Sequence, residues 1–212
     1  MGILKNGITG NCTGKIGGLA FYVRNGKQII RTIGKMTKPA TPAQLQNREE
    51  LAVAVAFLRP VKEFVNAGFR LRAANSTKSA YNLAVAYNKK NALTGIYPNV
   101  SVNYEKVRVT EGTIGGADEA AAELTANGLK ITWLCPGSLG WPRPYDELML
   151  LVYFPVLQKA IYILSGASRQ QCAEVLDLQP DLITKYMEVY ISFVTQDRKG
   201  ISNSAYLGSF NK

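Results

Sequence analysis

From Tyr104 to the C-terminus the sequence is a succession of short β-type runs cut by turn clusters, and nothing else in the chain constrains the fold as much. The runs are YEKVRVTEG, LKITWL, ELMLLVYF, KAIYIL, AEVLDL, MEVYISFV and ISNSAYLG; clusters such as ANG, CPGS, SGAS and QDRKG separate them. About seven strands at this spacing read as an antiparallel sandwich. Trp133 in LKITWL takes the place of a buried core aromatic on an early sandwich strand. WPRPY, residues 141–145, reads as a stiff loop, because each proline fixes its own φ and restrains the residue before it.

The first half has a different texture. LAFYVRNGKQIIRT places two β-type runs around Asn25-Gly26, the dipeptide that best tolerates the positive φ of a tight hairpin turn. Phe21, Val23, Ile29 and Arg31 are expected on one face of this hairpin. A loop then gives way to a helix, with Thr41 as N-cap, Pro42 at the first helical position and Gln44 closing a capping box. Leu51, Val55, Leu58, Val61 and Val65 recur at helical spacing. LAVAVAFL is apolar nearly all round, which predicts a helix packed on more than one side. Pro60 should kink or split that helix near Leu58–Arg59, and Gly68 should stop it. A second helix is expected from Ser76 or Thr77 through Lys90, with Ala80, Leu83, Ala84 and Tyr87 as its apolar stripe. Lys89 and Lys90 suit the negative end of its dipole. The fold class is therefore α+β: an N-terminal β-hairpin with two or three helices over residues 1–103, then an antiparallel immunoglobulin-like β-sandwich over 104–212.

The opening GITGNCTGKIGG invites a phosphate-loop reading, and the details refuse it. Gly10 to Gly14 is one residue short of a Walker loop, Lys15 is followed by Ile16 rather than Ser or Thr, and a hairpin follows in place of a helix. The glycines Gly7, Gly10, Gly14, Gly17 and Gly18 suit close backbone approach and unusual φ/ψ. With Phe21 and Val23 they describe an arm that could lie along its own chain or be donated to a neighbour's sheet edge.

There is no histidine, so Ser–His–Asp and Cys–His catalysis and most metal centres have no ligand set. Cys12, Cys135 and Cys172 are scattered, show no CxxC spacing and read as three reduced thiols. No cofactor or metal is expected. Asp118, Glu119, Asp146 and Glu147 are the carboxylates a glycosidase-type mechanism would need, and they read instead as solvated charges flanking strands. No run is long and apolar enough to span a bilayer, and the N-terminus shows no secretory signal, so cytoplasmic synthesis is expected, with a virion or extracellular assembly as a further destination.

The net charge of +10 is uneven. Residues 1–110 hold 17 Lys and Arg against 4 Asp and Glu, and residues 111–212 hold 8 against 11. The basic set includes Lys5, Lys15, Arg24, Lys27, Arg31, Lys35, Lys38, Arg48, Arg70, Arg72, Lys89 and Lys90, with Phe21 and Tyr22 interleaved. Such a half can meet nucleic acid, or the acidic half of another copy.

The segments TGKIGGLAFYVRNGKQIIRT, TPAQLQNREELAVAVAFLRPVKEFVNAGF, YNLAVAYNKKNALTGIYPNVSVNYEKVRVTEG and ISNSAYLG resemble, in order, a family of uncharacterised Bacteroidetes proteins grouped as a domain of unknown function. The resemblance implies an immunoglobulin- or fibronectin-type sandwich and transfers no catalytic residue. The functional expectation is a non-enzymatic, self-assembling structural protein, a filament or virion/tail subunit that joins copies through residues 2–23 and basic-to-acidic contacts. The alternative is a basic nucleic-acid-binding module on Lys15, Arg24, Lys27, Arg31, Lys35 and Lys38. A third class, a carbohydrate- or surface-binding sandwich, would use Trp141, Tyr145 and Tyr153.

Overall fold

The computed structural model describes residues 2–4, 10–24, 26–35, 37–134 and 143–212; Lys5, Gly7, Cys135 and Trp141 lie outside the described residues. The chain divides into two compact units, Met1–Thr41 and Pro42–Lys212.

In the first unit β1 (Gly2–Leu4), β2 (Cys12–Ile16), β3 (Leu19–Arg24) and β4 (Lys27–Thr32) form one antiparallel meander in sequence order. The expected hairpin is its last one: Arg24 pairs with Lys27, and Gly26 has φ +74°, while Asn25 lies outside the described residues. Gly17 serves the turn before it, with Ile16 paired to Leu19 and φ +54° at the first turn position. These are conformations that an L side chain resists and glycine accepts. Gly17 is thus hairpin chemistry and Gly14 lies within β2, so neither belongs to a phosphate cradle.

The second unit begins with α1 (Pro42–Leu58), α2 (Lys62–Gly68), α3 (Arg70–Ala74) and α4 (Ala80–Asn91). Pro42 opens the first helix, the break falls at Pro60, and Gly68 ends the second, as the sequence predicts. Two expectations need correction. The LAVAVAFL stretch is buried on one side only, through Ala54, Phe57 and Leu58, while Leu51 is 46% exposed. α4 starts later than Ser76, because Ser79 is its N-cap and its hydroxyl accepts from the Asn82 N–H at 3.3 Å.

A short ribbon, β5 (Leu93–Thr94) with β6 (Ser101–Val102), leads to seven strands: β7 (Ala121–Thr125), β8 (Gly128–Thr132), β9 (Glu147–Phe154), β10 (Lys159–Ile163), β11 (Ala173–Asp177), β12 (Met187–Val194) and β13 (Ala205–Phe210). A one-turn α5 (Pro180–Ile183) joins β11 to β12. One sheet runs β11-β8-β7 and the other β10-β9-β12-β13, all antiparallel. The fourth strand therefore sits beside the third, in the sheet opposite the first, second and fifth. The fold is α+β with a C-terminal antiparallel sandwich.

The strand count matches the sequence reading, but one member differs. YEKVRVTEG is not a strand. Val107 and Val109 alternate into the core, yet backbone groups of the segment bond to side chains: the Arg108 N–H donates to Asn88 Oδ1 (2.9 Å) and the Val109 N–H to Ser204 Oγ (3.1 Å). The strand in its place, Ala121–Thr125, is rich in alanine and carries Glu123, a composition with weak β preference.

β9 and β12 are buried along almost their whole length because both of their faces are covered. Leu148, Leu150, Val152, Val189, Ile191 and Phe193 meet Leu129, Ile131 and Trp133 of the opposite sheet. On the other face Met149, Leu151, Tyr153 and Tyr190 meet Phe57, Val61, Phe64 and Val65 of the helical layer. The unit has three layers, helices, central sheet and outer sheet, which explains why ELMLLVYF is continuously apolar instead of alternating. Trp133 is buried as expected, edge-on to Phe193 with centroids 5.4 Å apart, and its indole N–H donates to the Arg169 carbonyl at 2.7 Å.

Candidate functional site

The register of the N-terminal sheet sorts its side chains by chemistry. Antiparallel partners share a face, so Phe21 and Ile30, Leu19 and Thr32, Val23 and Gln28, and Ile16 and Leu19 lie on one side. Lys15 with Ala20, Ala20 with Arg31, Tyr22 with Ile29, and Arg24 with Lys27 lie on the other. Phe21 and Val23 therefore do not share a face with Ile29 and Arg31, a one-residue correction to the expected pairing. One face is mainly apolar, with Gln28 and Thr32 as polar members, and carries no charge. Its side chains are open: Ile30 is 57% and Ile16 49% exposed. Cys12 is its buried exception, and the Gln28 side chain donates to the Cys12 carbonyl at 2.7 Å.

The opposite face holds Lys15, Arg24, Lys27 and Arg31 around the exposed ring of Tyr22. Residues 1–41 contain seven Lys and Arg and neither Asp nor Glu. Among the described residues no ion pair involves these four cations. Lys35 and Lys38 follow on the exposed connection to α1, and Gly10 sits in a bend before β2. Gly14, Gly17, Gly18, Phe21 and Val23 are parts of this meander, not of an unpaired arm: β2 and β3 are hydrogen-bonded on both sides inside their own unit. β1 and β4 are its edges.

In the second unit two of the four carboxylates considered for catalysis, Asp146 and Glu147, are held by cations. Asp146 is buried with its carboxylate 3.5 Å from the Arg169 guanidinium, which lies 3.9 Å over the Phe193 ring and donates to the carbonyls of Gly116 (2.6 Å) and Gly115 (2.8 Å). Burial raises the Asp146 value above the usual carboxylate range, and Arg169 only partly opposes it. Glu147 pairs with Arg198 at 2.7 Å. Tyr153 is buried against Phe57, with centroids 4.9 Å apart, so it is not available to stack on a sugar; Trp141 lies outside the described residues. Cys172 is disulfide-bonded and Cys12 is a free thiol, which corrects the expectation of three reduced thiols. Strand pairing brings residue 172 to the end of β8, where its carbonyl accepts from the Trp133 N–H at 3.1 Å, a proximity that wide sequence spacing conceals.

A second buried carboxylate was missed in the sequence. Glu188 on β12 accepts from the Tyr206 hydroxyl at 2.6 Å and from the Tyr186 hydroxyl, while the Tyr190 hydroxyl donates to the Tyr104 carbonyl at 2.8 Å. Burial, then the bond to Glu188, pushes Tyr206 up to about 12 from an ordinary value of 10.0. The fold binds the neutral phenol, so this stabilisation is complete below pH 10.0 and is lost as the pH rises through about 12. The thermal midpoint should fall steeply over that window. Tyr206→Phe should flatten the fall, and melting curves across the alkaline range check it.

The family model described as a family of unknown function, DUF6266, matches residues 10–208. The chain belongs to DUF6266. The match takes in β2 to β4 of the first unit together with the helices and most of the sandwich of the second. No curated protein matches the chain. Among the described residues no helix is long and apolar enough to cross a membrane, and no cluster of three or more Cys, Asp or Glu side chains is arranged to hold a metal ion.

Proposed function

We propose that this chain is a non-enzymatic assembly protein whose N-terminal sheet joins copies through its apolar face. The register carries this reading. It leaves Ile16, Leu19, Val23 and Ile30 open on one side and puts every cation of the sheet on the other. A single-layered sheet needs a second layer over its apolar face. A second copy supplies one that is equally apolar and brings no charge into the contact. Packing of faces replaces donation of β2 or β3, which would break ladders each strand already has on both sides. Face-to-face contact is isologous and closes a dimer; a filament or virion-type lattice needs a second contact, and the open edges β1 and β4 are available for it.

The test is the association state of the full chain beside a Val23→Ser, Ile30→Ser variant. Sedimentation should show dimers or larger species for the natural sequence. Each substitution should weaken association by at least about tenfold, since burying one such side chain is worth roughly 1.5–3 kcal/mol. A natural chain that stays monomeric at high micromolar concentration defeats the reading.

A further inference from the structure

We propose that the opposite, cationic face of the N-terminal sheet is a binding surface for single-stranded nucleic acid. It is independent of the apolar face and does not rest on self-association. Lys15 and Arg31 flank Ala20 from β2 and β4, and Arg24 faces Lys27 at the other end of β3. With strands about 4.8 Å apart and residues about 3.3 Å apart, the four charges cover an area of about 10 Å by 13 Å. Like charges directly opposite on adjacent strands destabilise a sheet. The Arg24–Lys27 pair therefore carries a folding cost, and the unit has no acidic residue to offset it. A chain of phosphates neutralises all four cations at once.

Tyr22 selects the strandedness. Tyr22 is 37% exposed and lies on the same face, between Ala20 and Arg24 along β3. A phenol ring among cations offers a platform for an unpaired base, and the stacked bases of a duplex cannot use it. An acidic protein surface would match the charge and leave Tyr22 without a role.

The experiment is a salt titration of full-length protein binding to labelled oligo-dT, by fluorescence anisotropy. Four phosphate contacts predict a slope of log affinity against log salt near −3, from about 0.7 per phosphate on a single strand. The triple variant Arg24→Ala, Lys27→Ala, Arg31→Ala should flatten the slope by about 2 units. The control Lys78→Ala, Lys130→Ala, Lys159→Ala, which removes the same charge from exposed sites in the second unit, should leave it unchanged. Tyr22→Ala should weaken oligo-dT about five- to hundred-fold, Tyr22→Phe should not, and neither should alter duplex binding. Absence of binding, an equal loss of slope in the control, or insensitivity to Tyr22→Ala overturns the proposal. So does poly-glutamate competing as well as oligo-dT of equal charge, which would assign the face to an acidic protein. The Val23→Ser, Ile30→Ser variant should bind with an unchanged slope per chain, so failure of the assembly reading and failure of this one are separate results.

Discussion

Arg169→Met should lower the unfolding free energy of the Pro42–Lys212 unit by about 3–5 kcal/mol, the range for breaking a buried ion pair from one side. The guanidinium is buried at the end of the sandwich, stacks on Phe193 and donates to the Gly115 and Gly116 carbonyls. Removing it leaves two carbonyls without their donor and Asp146 without its cation. Methionine refills much of the volume, so the loss reports the polar groups more than a cavity. The pH dependence has a definite sign. Burial already raises the Asp146 value, so the fold favours the protonated acid. Loss of the cation raises it further. The deficit against the natural chain should then be largest near neutral pH and narrow on acidification, as protonation removes the uncompensated charge. Adding Asp146→Asn should recover part of the loss. Urea titrations of the single and double variants check both points, and a loss below about 1 kcal/mol would show that the pair is not insulated from water.

Phe64→Ala should also cost about 3–5 kcal/mol, and it tests how the unit is organised. Phe64 lies on α2, fully buried, with Tyr162 of β10 edge-on at 6.0 Å. Its neighbours in the core include Met149 and Leu151 of the central sheet. If helices and sandwich share one core, far-UV circular dichroism and tryptophan fluorescence should move together to a lower denaturant midpoint. A helical signal that melts ahead of the fluorescence would instead place a boundary near residue 103.

How much of this could be read from the chain depends on the range of the interaction. Pro60 breaks the helix wherever it packs, because its ring excludes a backbone hydrogen bond. The Asn25-Gly26 hairpin and the alternation of strands with turn clusters are local in the same way. The packing of helices on the central sheet was not local. Change of composition near Tyr104 marks a change from helix to strand, and the apolar face of the helices is completed by the far side of β9 and β12. YEKVRVTEG shows the same limit: its alternation is real and half of it is buried, but whether such a segment joins a ladder depends on which donors and acceptors reach it.

The candidate site was half legible. The cations, Tyr22 and the apolar residues of the first 41 positions are plain in the sequence, as is the want of any acid among them. Their separation onto two faces was not, since a shift of one residue in pairing exchanges the faces. Asp146 looked like a solvated turn charge until the β9 end and the turn before β11 met around Arg169.

Composition and local pattern alone determined the α+β class, six of the seven strands of the second half, the helix break and the exclusion of histidine chemistry, because steric preference, turn conformation and residue inventory act within a few neighbouring residues. Tertiary structure alone decided the strand register, the three-layer packing and the partners of each buried charge, because these depend on which distant surfaces exclude water together.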